Sequence, residues 1–285
     1  MPVLTPENHA FFEENGYVVV RNAAPTENTS AVIDAIWQFL EMDRNDPEDW
    51  YHEPLRPNGM VEMYQHQSMW NNRQWPRIYQ AFTEVLGTHK LWVSIDRVSM
   101  KPPRHPAHAE YDNKGFIHWD ADTSRLPLPL SVQGVLYLAD TDADQGGFQC
   151  VPALFRCFDE WLATQPPDRN PHSPDLKGFE VEPIPGKAGD LVIWNRLLAH
   201  GNGHNRSNKP RFAQYISMFP ADPRTSEADG WGGGREDRIR QWQERRPPNA
   251  SWAPGDPRDW EHQHCQAANL TPLGRRLLGL DPWEI

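Results

Sequence analysis

The tripeptide His118-Trp119-Asp120 is where residue types and spacing first suggest metal chemistry. In an extended strand, residues i and i+2 point to the same face. An imidazole and a carboxylate two positions apart can therefore meet at one point. A third ligand has to come from another strand. His200 is suitably placed, because it follows GDLVIWNRLLA, which reads as a strand leading into a loop. Two imidazoles and one carboxylate form the facial triad that suits non-haem iron(II), with positions left open for other ligands. Arg211 lies eleven residues after His200 and begins RFAQYISMF, which reads as the next strand. Adjacent antiparallel strands would bring its guanidinium near the metal ligands. There it could grip a carboxylate bidentately, as the far end of 2-oxoglutarate requires.

Other histidines offer weaker alternatives. His204 sits in the Gly- and Asn-rich loop HGNGHNRSNKP and reads as solvent-exposed. His262 and His264 form an H-x-H pair with no carboxylate convincingly placed beside them. For His118 and Asp120 themselves, the bland alternative is a surface His–Asp pair. Cys150, Cys157 and Cys265 show no C-x-x-C spacing and make no disulfide framework.

The elements that must hold these residues follow from periodicity. Thr5-Pro6 caps and opens a first helix that Gly16 ends, and YVVVR (17–21) is a strand. Ser30 can cap a second helix carrying Val32, Ile33, Ile36, Trp37 and Leu40. Residues 43–72 give no clear pattern; within them EMYQHQSMW (62–70) reads as a packing segment or a lid over substrate. Trp75-Pro76 opens a third helix that Gly87 ends. The period then changes to two. LWVSIDRVS (91–99), FIHWDAD (116–122), SVQGVLYLA (131–139), FQCV (148–151), FEVEPI (179–184), DLVIWN (190–195) and RFAQYISMF (211–219) are strand candidates, with a helix at 157–164. So many short strands predict a sandwich or jelly roll. Helices are expected near 235–246 and 272–279 within an otherwise irregular, Gly-, Pro- and Trp-rich tail.

Composition narrows the function. A net charge of -11 and no sustained Lys/Arg run argue against a nucleic-acid partner. No apolar run approaches a membrane span, and MPVLTPENHAFFEENG has no signal-peptide core. A cytoplasmic protein acting on a small molecule is expected, with oligomeric state left open.

At this point the chain resembles the phytanoyl-CoA dioxygenase family of iron(II)/2-oxoglutarate oxygenases, over roughly residues 8–220. NGYVVVRNAAP resembles the family's opening strand and turn. IHWDAD carries the first two ligands, GVLYLADTDADQGGFQCVP the next strand and loop, and GDLVIWNRLLAHGNGHNRSNKPRFAQY the last ligand and the arginine. The resemblance implies a mainly β fold with flanking helices, built on a double-stranded β-helix (jelly roll, cupin-like) core. It also implies Fe(II) and O2 as cofactors, with 2-oxoglutarate consumed to succinate and carbon dioxide.

There are departures from the family pattern. Val151-Pro152-Ala153-Leu154-Phe155 stands where a Pro-Gly-Ser-His stretch is frequent, Asn202 where Ser is, and Val135 where some members have an aromatic residue. The layout expected is one domain over 1–285. Within it, 1–90 is helical decoration with an early strand, 91–220 the β-helix core, and 221–285 an irregular, partly helical tail. His118, Asp120 and His200 are the expected metal and catalytic residues. Arg211, Asn202, Gln133 and Tyr137 are expected at the co-substrate, and Gln133 and Tyr137 share one strand face. Arg97, Trp119 and Trp194 are substrate-side candidates; ion pairing with Asp96 is the alternative for Arg97, and core packing for the two tryptophans. The expected reaction is hydroxylation of a small organic molecule. The rival readings are a non-oxygenase cupin-like metal protein and a small-ligand binding module.

Overall fold

A computed structural model describes residues 2–221 and 234–284. In chain order the elements begin α1 (Pro6–Asn15), β1 (Tyr17–Val20), α2 (Thr26–Leu40), β2 (Met60–Val61), α3 (Gln67–Arg73), α4 (Pro76–Leu86), β3 (Leu91–Val93) and β4 (Val98–Lys101). They continue β5 (Val132–Tyr137), β6 (Phe148–Cys150), α5 (Pro152–Arg156), α6 (Phe158–Ala163), β7 (Glu182–Pro183), β8 (Leu191–Asn195), β9 (His200–Asn202), β10 (Arg211–Tyr215) and β11 (Met218–Pro220). Helices α7 (Arg235–Glu244), α8 (Trp260–His264) and α9 (Pro272–Leu278) complete the described chain. The stretch 222–233 of the tail lies outside the described residues.

The major sheet is antiparallel, in the order β1-β8-β5-β10-β4-β2. A smaller sheet, β7-β6-β9, faces it, and β9 also bridges to His118. This is the jelly-roll core with flanking helices.

Register decides which side chains meet. Gln133 pairs with Trp194, Val135 with Val192 and Tyr215, Tyr137 with Ala213, and Arg211 with Lys101. Paired residues project to the same face, so these side chains all enter the space between the sheets. Tyr17, Val135, Tyr137, Phe148, Val192, Trp194 and Ala213 pack there as one buried cluster. The alternate residues, among them Val18, Val20, Leu136, Leu191, Ile193 and Phe212, belong to a second cluster that includes α2–α4.

Two long strand candidates are each broken. The run 91–99 divides into β3, which pairs with β11, and β4, which joins the major sheet. Ser94–Arg97 make the crossing, so Asp96 and Arg97 turn into the interior. RFAQYISMF breaks in the same way between β10 and β11, at Ile216 and Ser217. Ser94 N–H donates to Ser217 O at 2.8 Å, and Ser217 N–H to Ser94 Oγ at 3.0 Å, which ties the two breaks together.

Further local differences have simple causes. Thr5 caps α1 and forms a capping box with Asn8, as its position predicts. The second helix starts at Thr26 after Pro25, so Ser30 lies inside it and does not cap it. The 116–122 run makes only a bridge at His118, because Trp119 N–H turns to His172 O at 3.0 Å. The 62–70 segment is packing: Met63, Tyr64, Met69 and Trp70 are buried in the helix-side core.

The tail is bolted onto the barrel by buried charges. Glu261 accepts Tyr64 N–H at 2.6 Å and Gln65 N–H at 2.7 Å, and Glu62 accepts Gly255 N–H at 3.2 Å. Arg97 donates to the Trp252 carbonyl and pairs with Glu62 at 3.3 Å.

Gly134, in the middle of β5, leaves no room for a side chain: a Cβ there would lie 2.4 Å from Ile216 O and 2.8 Å from Phe82 Cζ. Gly134→Ala is expected to cost about 1–3 kcal/mol through overpacking. Chemical denaturation with an unchanged m value checks this, and an unaltered midpoint would contradict it.

Candidate metal centre and cavity

His118, Asp120 and His200 converge, with their ligand atoms all within 4.8 Å of one another. Nε2 of His118 lies 3.3 Å from Asp120 Oδ1, and Nε2 of His200 lies 3.5 Å from Asp120 Oδ2. Backbone pairing sets this spacing. His118 N–H donates to His200 O at 2.9 Å, and His200 N–H to His118 O at 3.0 Å. On the far side of β9, Cys150 of β6 pairs with His200.

Neighbouring groups fix each ligand. His200 Nδ1 lies 2.9 Å from Leu198 O, which as a donor to that carbonyl leaves Nε2 with a free lone pair. The His200 ring stacks against Phe148 and tilts onto Trp194, with centroids 5.9 and 4.9 Å away. Gln133 Nε2 donates to Asp120 Oδ2 at 2.6 Å. Burial works to raise the pKa of Asp120, but hydrogen bonds from His118, His200 and Gln133 outweigh it and hold the carboxyl far below its usual range. Two imidazoles and an ionised carboxylate converging on one point fit a divalent transition metal with open positions.

The triad opens on a cavity of about 460 Å³, lined among others by Arg97, Gln133, Trp194, Arg196, Asn202 and Tyr215. Volumes of this order suit small organic ligands. Arg211 is outside the lining, four residues from Tyr215 on the same strand face, and is 1 % exposed. Its Nε donates to Gly146 O at 3.1 Å, while its Nη1 is buried with no partner. Lys101 stands beside it in register and donates to Gly203 O. Burial, with Arg211 adding to it, pushes the Lys101 amine down to about 7. Neither cation forms an ion pair among the described residues. Two adjacent buried cations without an anion are costly unless a ligand supplies the charge.

The remaining sequence-derived candidates separate. Asn202 lines the cavity and donates to Tyr215 Oη at 3.1 Å. Gln133 directs its amide to the metal carboxylate, and its Oε1 is buried with no partner. Tyr137 is outside the cavity lining: its hydroxyl donates to Ile184 O, and its ring is packed against Gly186. Trp194 lines the cavity. Trp119 does not; it packs edge-on against Phe158 and Trp161 and donates to Leu197 O at 2.8 Å, so it is core. Arg97 reaches the cavity but is engaged by Glu62, Asp96 and Trp252. His204 pairs with Asp112, away from the triad, and His262 and His264 bond to backbone carbonyls in the tail.

Sequence reasoning passed over Lys101, Arg196 and Trp252. No sequence signal marks Lys101, whose place opposite Arg211 is set by the β4–β10 register.

Comparison with known proteins agrees with this architecture. The sequence profile of the phytanoyl-CoA dioxygenase (PhyH) family matches residues 12–213, and the chain belongs to that family. A Dictyostelium discoideum protein named after phytanoyl-CoA dioxygenase is 25 % identical over 268 residues, covering 74 % of each chain. Among solved structures, GlcNAc Inducible Gene 2 from Candida albicans superposes with TM-score 0.73 at 14 % identity, covering 99 % of this chain and 78 % of its own. The epimerase SnoN, solved with Fe3+, alpha-ketoglutarate and nogalamycin RO, has TM-score 0.53 at 17 % identity, covering 75 % and 83 %.

Gly201 is the contact point of the two ligand-bearing segments. A Cβ there would lie 1.9 Å from Phe116 O. Gly201→Ala is therefore expected to push the His118 segment off β9 and weaken divalent-metal affinity, although every ligand atom is retained. Equilibrium dialysis with Co2+ measures this, and an unchanged affinity would show that the bridge does not set the triad.

Proposed function

We propose that this cavity is the active site of an iron(II)- and 2-oxoglutarate-dependent dioxygenase that hydroxylates a small organic molecule. His118, Asp120 and His200 hold the metal, and Arg211 with Lys101 takes the distal carboxylate of 2-oxoglutarate. The observation that carries this reading is a pair of buried cations with no ion pair among the described residues, one of them on the strand that also supplies Tyr215 to the wall of a cavity holding a His–Asp–His set. A metal protein of another kind would have no use for that pair.

Bound iron would supply oxygen activation, driven by decarboxylation of 2-oxoglutarate to succinate, with one oxygen atom passing to the substrate. The chain's own contribution is placement. Gln133 orients the Asp120 carboxylate, and the Leu198 carbonyl orients His200. Phe148 and Trp194 pack against His200 and shield that ligand from bulk water. Asn202 and Tyr215 line the cavity with the triad and are hydrogen-bonded to each other, so they are the polar groups available to the co-substrate there. No described helix is long and apolar enough to cross a membrane. Three unpaired cysteines accord with a reducing compartment such as the cytoplasm.

Arg211→Ala is expected to weaken 2-oxoglutarate binding by roughly 30- to 1000-fold while leaving metal affinity little changed. Anaerobic titration of the iron-loaded proteins measures both, and an unchanged co-substrate constant would remove Arg211 from the site.

Lys101 gives a pH test. Below about pH 7 the free protein already carries its charge; above that the amine is neutral, and the incoming dianion must recover a proton. Co-substrate affinity should therefore fall as pH rises above about 7, by up to about tenfold per unit, and Lys101→Met should flatten that slope. Equal slopes in the two proteins would contradict the assignment.

A further inference from the structure

With the metal and co-substrate placed as proposed above, one charged side chain of the cavity has no task. Arg196 follows β8 on the way to His200 and lines the cavity beside the triad. Its Nη2 reaches only the backbone carbonyl of Asp120, at 3.5 Å, and its Nε is buried with no partner. It forms no ion pair among the described residues. The other arginine of the lining shares an unbonded Nε but differs in charge balance: Arg97 has Glu62 at 3.3 Å and Asp96 at 3.9 Å. A guanidinium with a desolvated, unbonded N–H leaves a full charge-assisted hydrogen bond unmade.

We infer that Arg196 is the substrate's anchor, and that the substrate is a small monocarboxylic acid with an apolar body. This rests on the dioxygenase reading, because it assigns the part of the cavity that 2-oxoglutarate does not need. The anion is a carboxylate and not a phosphate monoester. A phosphate dianion calls for more positive charge than one guanidinium, and Arg97 is already neutralised. The apolar part has surfaces to meet: Met60, Phe116 and Trp252 also line the cavity. Phe116 is 69 % exposed, so its ring is available to cover a ligand. Trp252 comes from beyond residues 12–213, the part matched by the family profile, and its carbonyl and ring are both held by Arg97. Arg97 is thus a positioning residue that sets a wall of the substrate space.

The test uses the iron-loaded full chain with 2-oxoglutarate under anaerobic conditions, reading perturbation of the iron–co-substrate charge-transfer band. The probes are straight-chain acids from butyrate to decanoate and 4-phenylbutyrate, each beside its primary amide, with phenyl phosphate as a third arm. Acids should bind saturably, and their amides about 10- to 100-fold more weakly. Arg196→Gln should erase that difference with 2-oxoglutarate affinity unchanged, and Arg196→Lys should keep part of it. The inference is overturned if acid and amide bind alike, if phenyl phosphate binds more tightly than the acids, or if no acid binds. It is also overturned if Arg196→Gln weakens 2-oxoglutarate binding, which would give this arginine to the co-substrate. If the charge-transfer band never forms in the wild-type protein, the dioxygenase reading itself fails, and that outcome is distinct from the others.

Discussion

His118 and His200 lie on two backbone segments that exchange hydrogen bonds directly, so the distance between the two imidazoles is a property of the main chain. The pairing survives only because Gly201 presents no side chain to Phe116 O. Everything around the triad acts on this fixed spacing. β6 supports β9 from the other side, Phe148 and Trp194 fix the His200 ring, and Gln133 reaches from the major sheet to hold Asp120. The metal set is therefore built across both sheets. Loss of contact between them would scatter the ligands without altering any of them.

Charge organises the rest of the interior. Arg211 and Lys101 are adjacent in register and buried, an arrangement unfavourable in the free protein. On the function proposed above, the distal carboxylate of 2-oxoglutarate would supply the missing anion, and the same electrostatic demand would favour a dianion of the right length. Arg97 illustrates the opposite case. Its Nε has no hydrogen-bond partner, but Glu62 and Asp96 balance its charge, and with the Trp252 carbonyl it serves to fix the tail. Burial pushes the Asp96 carboxyl up to about 6, partly offset by Arg97, so this corner of the cavity loses negative charge only as pH falls through that value.

The convergence of His118, Asp120 and His200 was legible because strand geometry fixes where i and i+2 point, whereas the expected neighbouring of the His200 and Arg211 strands does not hold: β9 lies in the smaller sheet and β10 in the major one. The jelly roll was legible for the same reason, through alternation in β5, β8 and β10. Strand breaks were not. Nothing local in 91–99 or 211–219 marks where the chain leaves one sheet for another; that is decided by pairing with distant partners, β11 with β3 and β10 with β4 and β5. The roles of Tyr137 and Trp119 were hidden for a related reason. Both lie in the expected region of the chain, but Ile184 and Leu197 claim their polar atoms. Arg196 could not be singled out from sequence, because what distinguishes it is that it forms no ion pair among the described residues.

On the function proposed above, oxygen activation at His118, Asp120 and His200 is coupled to cleavage of 2-oxoglutarate. A single turnover under 18O2, with iron(II) and one equivalent of 2-oxoglutarate, tests it directly by mass spectrometry of the succinate formed. The account predicts one 18O atom in the newly formed carboxylate of each succinate, and no succinate above background from His200→Ala. Absence of succinate from the wild-type protein, or succinate free of label, would contradict it.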